Sequence, residues 1–346
     1  MIGKPQTIKR VNLDVVLRAI STGTDMSQPE IAAQTGLSLQ TVNKAVRELE
    51  ESKTIICTGA SEFTGGRRAK VYKVNYDREL IACVYIQDNH FYGRVTNLGE
   101  VVRKEICYVR DETVSWIDNL INCLYKLTES FSVSIIGVAV PGTVTKDIIY
   151  NIPAIPEFEG KNIKEILSEH FDCQIIIEND VKSATKWAYE ENASSENSNF
   201  AYLSVLEHFG SAFIIGGEIL DSNTSFSGEI AYMALSEQEK REDQTGCADQ
   251  ILYQVLRDGD TEKLINLTAR IMVNICCVIA PDQIVMASSY LEEKHVRQIE
   301  EVMKIYNQDK YIPKITTIPV VPENNLCGIV SLCKSHLEST VQVIKK

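Results

Sequence analysis

Several things are missing from this sequence. No apolar run approaches the roughly 20 residues a spanning helix needs, and Met1 to Arg10 carries Lys4, Pro5, Lys9 and Arg10 with no apolar stretch behind them. A membrane partner and an exported chain are not expected. Positive charge is short: 35 Lys+Arg face 47 Asp+Glu, a net charge of −12, and a protein that binds phosphates normally shows a basic face. The ten cysteines form no C-x-x-C pair, so they read as reduced thiols of a soluble, cytoplasmic protein. What is present is an ordinary apolar fraction, 44%, enough to build two or three cores and to exclude disorder.

The charge deficit is uneven. Residues 1–76 hold 11 Lys+Arg and 7 Asp+Glu, or +4, while the remainder holds 24 and 40, or −16. In the basic part, Leu13, Val16, Leu17 and Ile20 recur at helical spacing over Asn12 to Ile20. Ser27 with Glu30 makes a capping box for a second helix, which has Pro29 in its first turn and closes at Gly36. Ser38 caps a third, whose buried stripe is expected to be Leu39, Val42, Val46 and Leu49. Gln40, Thr41, Asn43, Lys44 and Arg47 then face outward. Two short β segments, Thr54 to Cys57 and Lys70 to Val74, flank Thr64-Gly65-Gly66-Arg67-Arg68. Helix, turn, helix and wing in this order predict a winged helix-turn-helix over residues 1–76 that binds double-stranded DNA. The early turns of the third helix would read base edges or phosphates, and Arg67 and Arg68 would reach the backbone or minor groove.

From about Asp77 the pattern becomes strands alternating with helices. Leu80 to Ile86, Phe91 to Thr96 and Val101 to Tyr108 are strand-like, and Trp116 to Thr128 is an amphipathic helix. Val133 to Val140 is a buried strand, and a second set begins at Phe200 to Leu206 and Ala212 to Ile215. Two such sets predict a duplicated α/β architecture with a cleft between its halves. The expected lobes are 77–195 and 196–346, with the C-terminal helix returning to the first.

Four segments follow the basic module in order: Gly137 to Gly142, Tyr150-Asn151-Ile152-Pro153, Glu178-Asn179-Asp180 and Ser227 to Met233. The chain thereby resembles the ROK family, which groups sugar-responsive transcriptional repressors with sugar kinases on an actin/hexokinase-like fold. The resemblance implies that Asp180 holds the general-base position of the kinases, where a carboxylate takes a proton from the attacking sugar hydroxyl. It implies sugar contacts at Asn151, Asn179 and Glu229, and a cleft place for Tyr232 and Asp249. Simpler roles stand beside these. Asp180 suits a helix N-cap, Asn151 a turn, Glu229 a solvated charge and Tyr232 the core.

Where the sequence departs from the family pattern, catalysis is affected. The family's first phosphate loop falls on Val84-Tyr85-Ile86-Gln87-Asp88, which lacks both glycines and the metal-positioning Asp. The second falls on Leu206-Glu207-His208-Phe209-Gly210 and keeps one glycine, and the adenosine-side glycines are replaced by Ala287-Ser288-Ser289. A phosphate cradle needs converging N–H groups without a Cβ in the way. The family's zinc site is missing too, with Tyr232 at the His position and Cys247 the one thiol left, and a single thiolate cannot close a tetrahedral site. The expectation is a non-enzymatic regulator without cofactor or metal: a homodimer or tetramer on a palindromic operator, sensing a sugar or sugar phosphate. The alternatives are a sugar kinase with an added DNA-binding domain, and a regulator that answers to a protein partner.

Overall fold

The computed structural model describes residues 5–22, 25–60, 69–195, 198–235 and 246–344. The chain forms two compact units, one of residues 1–80 with 97–101 and one of 81–96 with 102–346.

The first unit contains α1 (Pro5–Ile20), β1 (Met26–Ser27), α2 (Gln28–Thr35), α3 (Leu39–Glu51), β2 (Ile55–Ala60) and β3 (Lys70–Val74). Three of these helix boundaries have a local chemical cause. The Glu30 carboxylate accepts from the Ser27 N–H at 2.7 Å and the Ser27 hydroxyl at 2.6 Å, closing the start of α2. Gly36 ends α2 at φ 69°, which a side chain would disfavour. Ser38 Oγ accepts from the Thr41 N–H at 3.2 Å at the start of α3. Val16, Ile31, Val42, Val46, Ile55 and Tyr72 form the core under a β1-β3-β2 sheet. Leu39, expected in the buried stripe, is 48% exposed, and Ala45 takes its place. The wing candidates Arg67 and Arg68 lie outside the described residues. Ser38→Ala should cost about 1 kcal/mol, so amide hydrogens of α3 that exchange by opening this unit should exchange about fivefold faster.

The second unit repeats one plan twice. Its first lobe runs β4 (Leu80–Gln87), β5 (His90–Asn97), β6 (Val102–Val109), α4 (Trp116–Thr128), β7 (Ile135–Val140), β8 (Thr143–Thr145), β9 (Ile148–Tyr150), α5 (Ile163–Ser168), β10 (Gln174–Asn179) and α6 (Asp180–Asn192). The second runs β11 (Phe200–Val205), β12 (Phe209–Ile215), β13 (Glu218–Ile219), α7 (Ala248–Asp258), α8 (Thr261–Ile279), β14 (Gln283–Ser288), α9 (Glu293–Tyr306), β15 (Lys314–Ile318) and α10 (Pro322–Ile344). The sheet orders are β10-β7-β4-β5-β6 and β13-β12-β11-β14-β15. In each, three strands in sequence form one side and two parallel strands extend the other. Helices α6 and α10 follow the last strand of their own set and pack against each other. They meet at Gly328, where a Cβ would lie 1.7 Å from the Ser183 carbonyl oxygen, so the backbones touch. Further along, α10 lies over β7, with Cys333 Sγ 2.5 Å from where a Cβ on Gly137 would stand. This duplicated α/β body, with the winged helix-turn-helix ahead of it, is the architecture expected from the sequence.

Candidate effector cleft and nucleic-acid interface

Helix α6 starts at the end of β10 because Asn179 caps it. Asn179 Oδ1 accepts from the Lys182 N–H at 3.0 Å, and Nδ2 donates to the Gly142 carbonyl at 3.0 Å. The cap proposed for Asp180 therefore belongs to the residue before it, while Asp180 is the first helical residue and accepts from the Val181 N–H at 2.8 Å. Both residue types cap helices well, which is why sequence did not separate them. Burial pushes the Asp180 carboxyl up to about 7, and the charge of Glu229 adds to the shift. The buried phenols of Tyr85 and Tyr202 stand in the field of Asp180, and both are raised, chiefly by their own burial.

Glu229 reaches the cleft on a bent segment. Gly228 sits at φ 95° with its Cα against β12, where a Cβ would meet the Ser211 carbonyl oxygen at 2.5 Å, and Ser211 Oγ donates to the Gly228 carbonyl at 2.7 Å. Only glycine fits there, and the fit aims Glu229 at the other lobe, where its Oε1 accepts from Thr143 Oγ1 at 3.0 Å. Glu229 is thus half-buried and bonded, not the solvated charge its neighbours allow. Burial raises its carboxyl, and Asp249 adds to that, while the Thr143 bond and Lys182 oppose it.

The β8–β9 hairpin, which carries Thr143 opposite Tyr150, ends at Asn151, exposed in a turn at φ 52°. Ile152 packs on Gly142, the residue whose carbonyl Asn179 holds. Asn151, Asn179 and Glu229 are therefore tied to one hairpin. Tyr232 is not core: it is 41% exposed and tilted against Phe226 at 5.6 Å. Both rings line a groove of about 310 Å³ together with Glu229, Phe213 and Ile275. Asp249 is committed elsewhere, accepting from the Phe209 N–H and contacting His208 Nδ1, each at 2.8 Å, which fixes the β11–β12 turn. Its charge is still felt at Glu229 and Tyr232.

Sequence reasoning missed Lys182. This buried lysine donates to Asp221 Oδ1 of the other lobe at 2.9 Å and lies in the fields of Glu178 and Glu229. Burial pushes Asp221 upward, but the bonds from Lys182 and the Ser222 N–H outweigh it, and the carboxyl stays below its ordinary value. The partner is 39 residues away in the chain, so no local spacing could have shown the pair.

In the first unit, Gln40, Asn43 and Lys44 are exposed and Thr41 is half-buried on the outer face of α3. Arg47 Nε is engaged with Glu51 at 2.8 Å, one turn on, leaving Lys44 as the cation nearer the start of the helix. Among the described residues, no group of three or more His, Cys, Asp or Glu could hold a metal ion, and no helix is long and apolar enough to cross a membrane.

The body is thus a duplicated pair of α/β lobes in which Asn179 of the first and Glu229 of the second are bonded at the neighbouring Gly142 and Thr143. The ROK family model matches residues 89–252, and a winged helix-turn-helix DNA-binding model matches 16–56. It is 22% identical to the xylose repressor of Bacillus subtilis over 235 residues, 66% of this chain and 61% of that protein. It is 25% identical to the DNA-binding transcriptional dual regulator NagC of Escherichia coli over 243 residues, 67% of this chain and 59% of that one. The chain thus spans about six tenths of the length of these relatives. A ROK family transcriptional regulator, a homolog of the Escherichia coli MLC protein, has the same fold, with TM-score 0.78, 15% identity and 98% of both chains covered.

Proposed function

We propose that this chain is a sugar-responsive DNA-binding transcriptional repressor whose ROK cleft senses its effector without phosphorylating it. The observation that carries this reading is one chain joining the exposed Gln40, Asn43 and Lys44 face of a capped α3 to a two-lobed body in which Asn179 and Glu229 are bonded at the neighbouring Gly142 and Thr143. Relatives named as regulators for xylose and for N-acetylglucosamine support a sugar as effector and leave its identity open. A sugar shifts the balance between two states of the body only through different affinities for them. A homodimer or tetramer would present two winged helices to a palindromic operator. Val84 to Asp88 lacks the glycines of a phosphate cradle and Leu206 to Gly210 keeps one, which argues against ATP as a substrate. The β4–β5 connection is a tight turn at Asp88 and Asn89.

Fluorescence anisotropy on DNA from upstream of the chain's own gene tests the claim. Binding should weaken steeply with salt, as counterion release requires. Replacing Asn43 and Lys44 together by Ala should cost at least about tenfold in affinity, or about 1.4 kcal/mol, and Arg67→Ala with Arg68→Ala should weaken binding further. Salt-independent binding would sink the reading. One feature favours a kinase instead, since a carboxyl held at about 7 suits a general base. ATP turnover with any sugar, abolished by Asp180→Asn, would replace the non-catalytic reading.

A further inference from the structure

We infer that the turn Asn97–Val101 couples the body to the DNA-binding unit, with Asn97 as its positioning residue, an inference that rests on the repressor reading. By chain order the turn is part of the body, since it joins β5 to β6 of the first-lobe sheet. By packing it belongs to the first unit, with residues 1–80. The chain therefore passes between the units three times, at 80–81, 96–97 and 101–102. One flexible tether would carry little of one unit's conformation to the next. Here the crossings fall at the ends of β4, β5 and β6, which are neighbours in one sheet, so a change in that sheet reaches both ends of the turn and the segment leading into β4 together.

The bonds of the turn define what it holds. Asn97 is buried, and its Oδ1 closes the turn by accepting from the N–H groups of Gly99 at 3.0 Å and Val101 at 2.9 Å. Its Nδ2 donates to Asp77 Oδ1 at 2.7 Å. The Leu98 N–H donates to the Tyr76 carbonyl at 3.0 Å, and Gly99 lies against the Tyr76 ring, where a Cβ would stand 2.9 Å from it. The segment held in this way is bonded onward to α3. Asn75 gives its N–H to the Thr54 carbonyl at 2.9 Å and its Nδ2 to the Lys53 carbonyl at 3.0 Å, while Arg78 Nη1 donates to Thr54 Oγ1 at 2.8 Å. The Thr54 N–H in turn donates to the Leu49 carbonyl of α3 at 2.8 Å. All of these bonds lie inside the first unit. They join the turn to the helix that carries Gln40, Asn43 and Lys44 through contiguous contacts, the kind of network that can carry coupling.

Coupling is reciprocal: what the body does to DNA affinity, bound DNA must do to the body. DNA from upstream of the chain's own gene can therefore serve as the probe. The test is amide hydrogen exchange of the full chain, free and at saturating DNA. In the wild type, DNA should change exchange in β4, β5 and β6 at least about threefold. Asn97→Asp keeps the oxygen that closes the turn but sets a carboxylate against Asp77, and should abolish that change. Adding Asp77→Asn puts a donor opposite the new carboxylate and should restore it, a repair that simple damage to the fold would not allow. Gly99→Ala, whose methyl meets the Tyr76 ring, should show the same loss, so the outcome does not depend on one variant folding. A DNA-induced change that both variants leave intact, a loss that the exchanged pair does not repair, or DNA binding with no change in the body overturns the inference and leaves the repressor reading standing. If the full chain binds no DNA, the repressor reading falls and takes this inference with it.

Discussion

Asp180→Asn should make the protein more stable at pH 8 and change little at pH 4. In the folded chain the Asp180 carboxyl titrates near 7 instead of 3.8, mainly because it is buried. Between these values the folded state holds a proton that the unfolded state has released. Raising the pH through this window therefore favours unfolding, and the stability present below pH 4 is lost as pH passes 7. A shift of this size corresponds to at most about 4 kcal/mol. Asparagine keeps an oxygen to accept from the Val181 N–H and cannot ionise, so the variant should lack this part of the slope. Glu178 and Glu229, also raised chiefly by burial, contribute a slope of the same sign that remains. Urea or thermal unfolding of both proteins from pH 4 to pH 8 measures the difference, and parallel profiles would show that Asp180 is ionised in the folded state throughout.

The second large effect is steric. Gly328→Ala should destabilise the body by at least about 3 kcal/mol, the upper end of ordinary overpacking, or roughly 6–12 °C in melting temperature for a domain of this size. The added methyl would lie 1.7 Å from the Ser183 carbonyl oxygen and 2.4 Å from its carbon. No rotamer relieves such a contact, because backbone lies on both sides; α6 and α10 must separate. Gly259→Ala serves as the comparison. It closes α7 at φ 66° with nothing within 4 Å of the new Cβ, so it should cost only about 1 kcal/mol, through conformation alone. Equal losses at the two positions would mean that α6 and α10 do not pack as closely as described.

Much of the fold could be read from periodicity. The amphipathic stripe of α4 gives Trp116 and Thr128 as its ends, where the helix begins and stops, and the capping chemistry of α2 and α3 is local enough to be visible in Ser27, Glu30, Gly36 and Ser38. Helix α1 begins at Pro5, a turn and more before the expected Asn12. Ile8 and Val11 in that stretch are half exposed, so it carries no buried stripe to mark it. The two-residue β1 is too short for any alternation; its pairing with Val71 and Tyr72 is what defines it.

The cleft was harder to read. Gly228 and Glu229 are adjacent in sequence, yet the close approach to Ser211 that directs Glu229 toward Thr143 is a tertiary fact. Lys182 looks like any surface lysine of a polar helix until Asp221 arrives from the other lobe. Asp249 matched a motif position, but its two oxygens serve the β11–β12 turn.

The return of α10 to the first lobe bears on how the protein is made. The face of β7 around Gly137, and the Cys83 thiol 4.0 Å from that of Cys333, are covered by residues translated only after the whole of the second lobe. A growing chain folds its early parts first where it can. Here the first lobe emerges from the ribosome with one apolar face open and must wait for the last helix to close it.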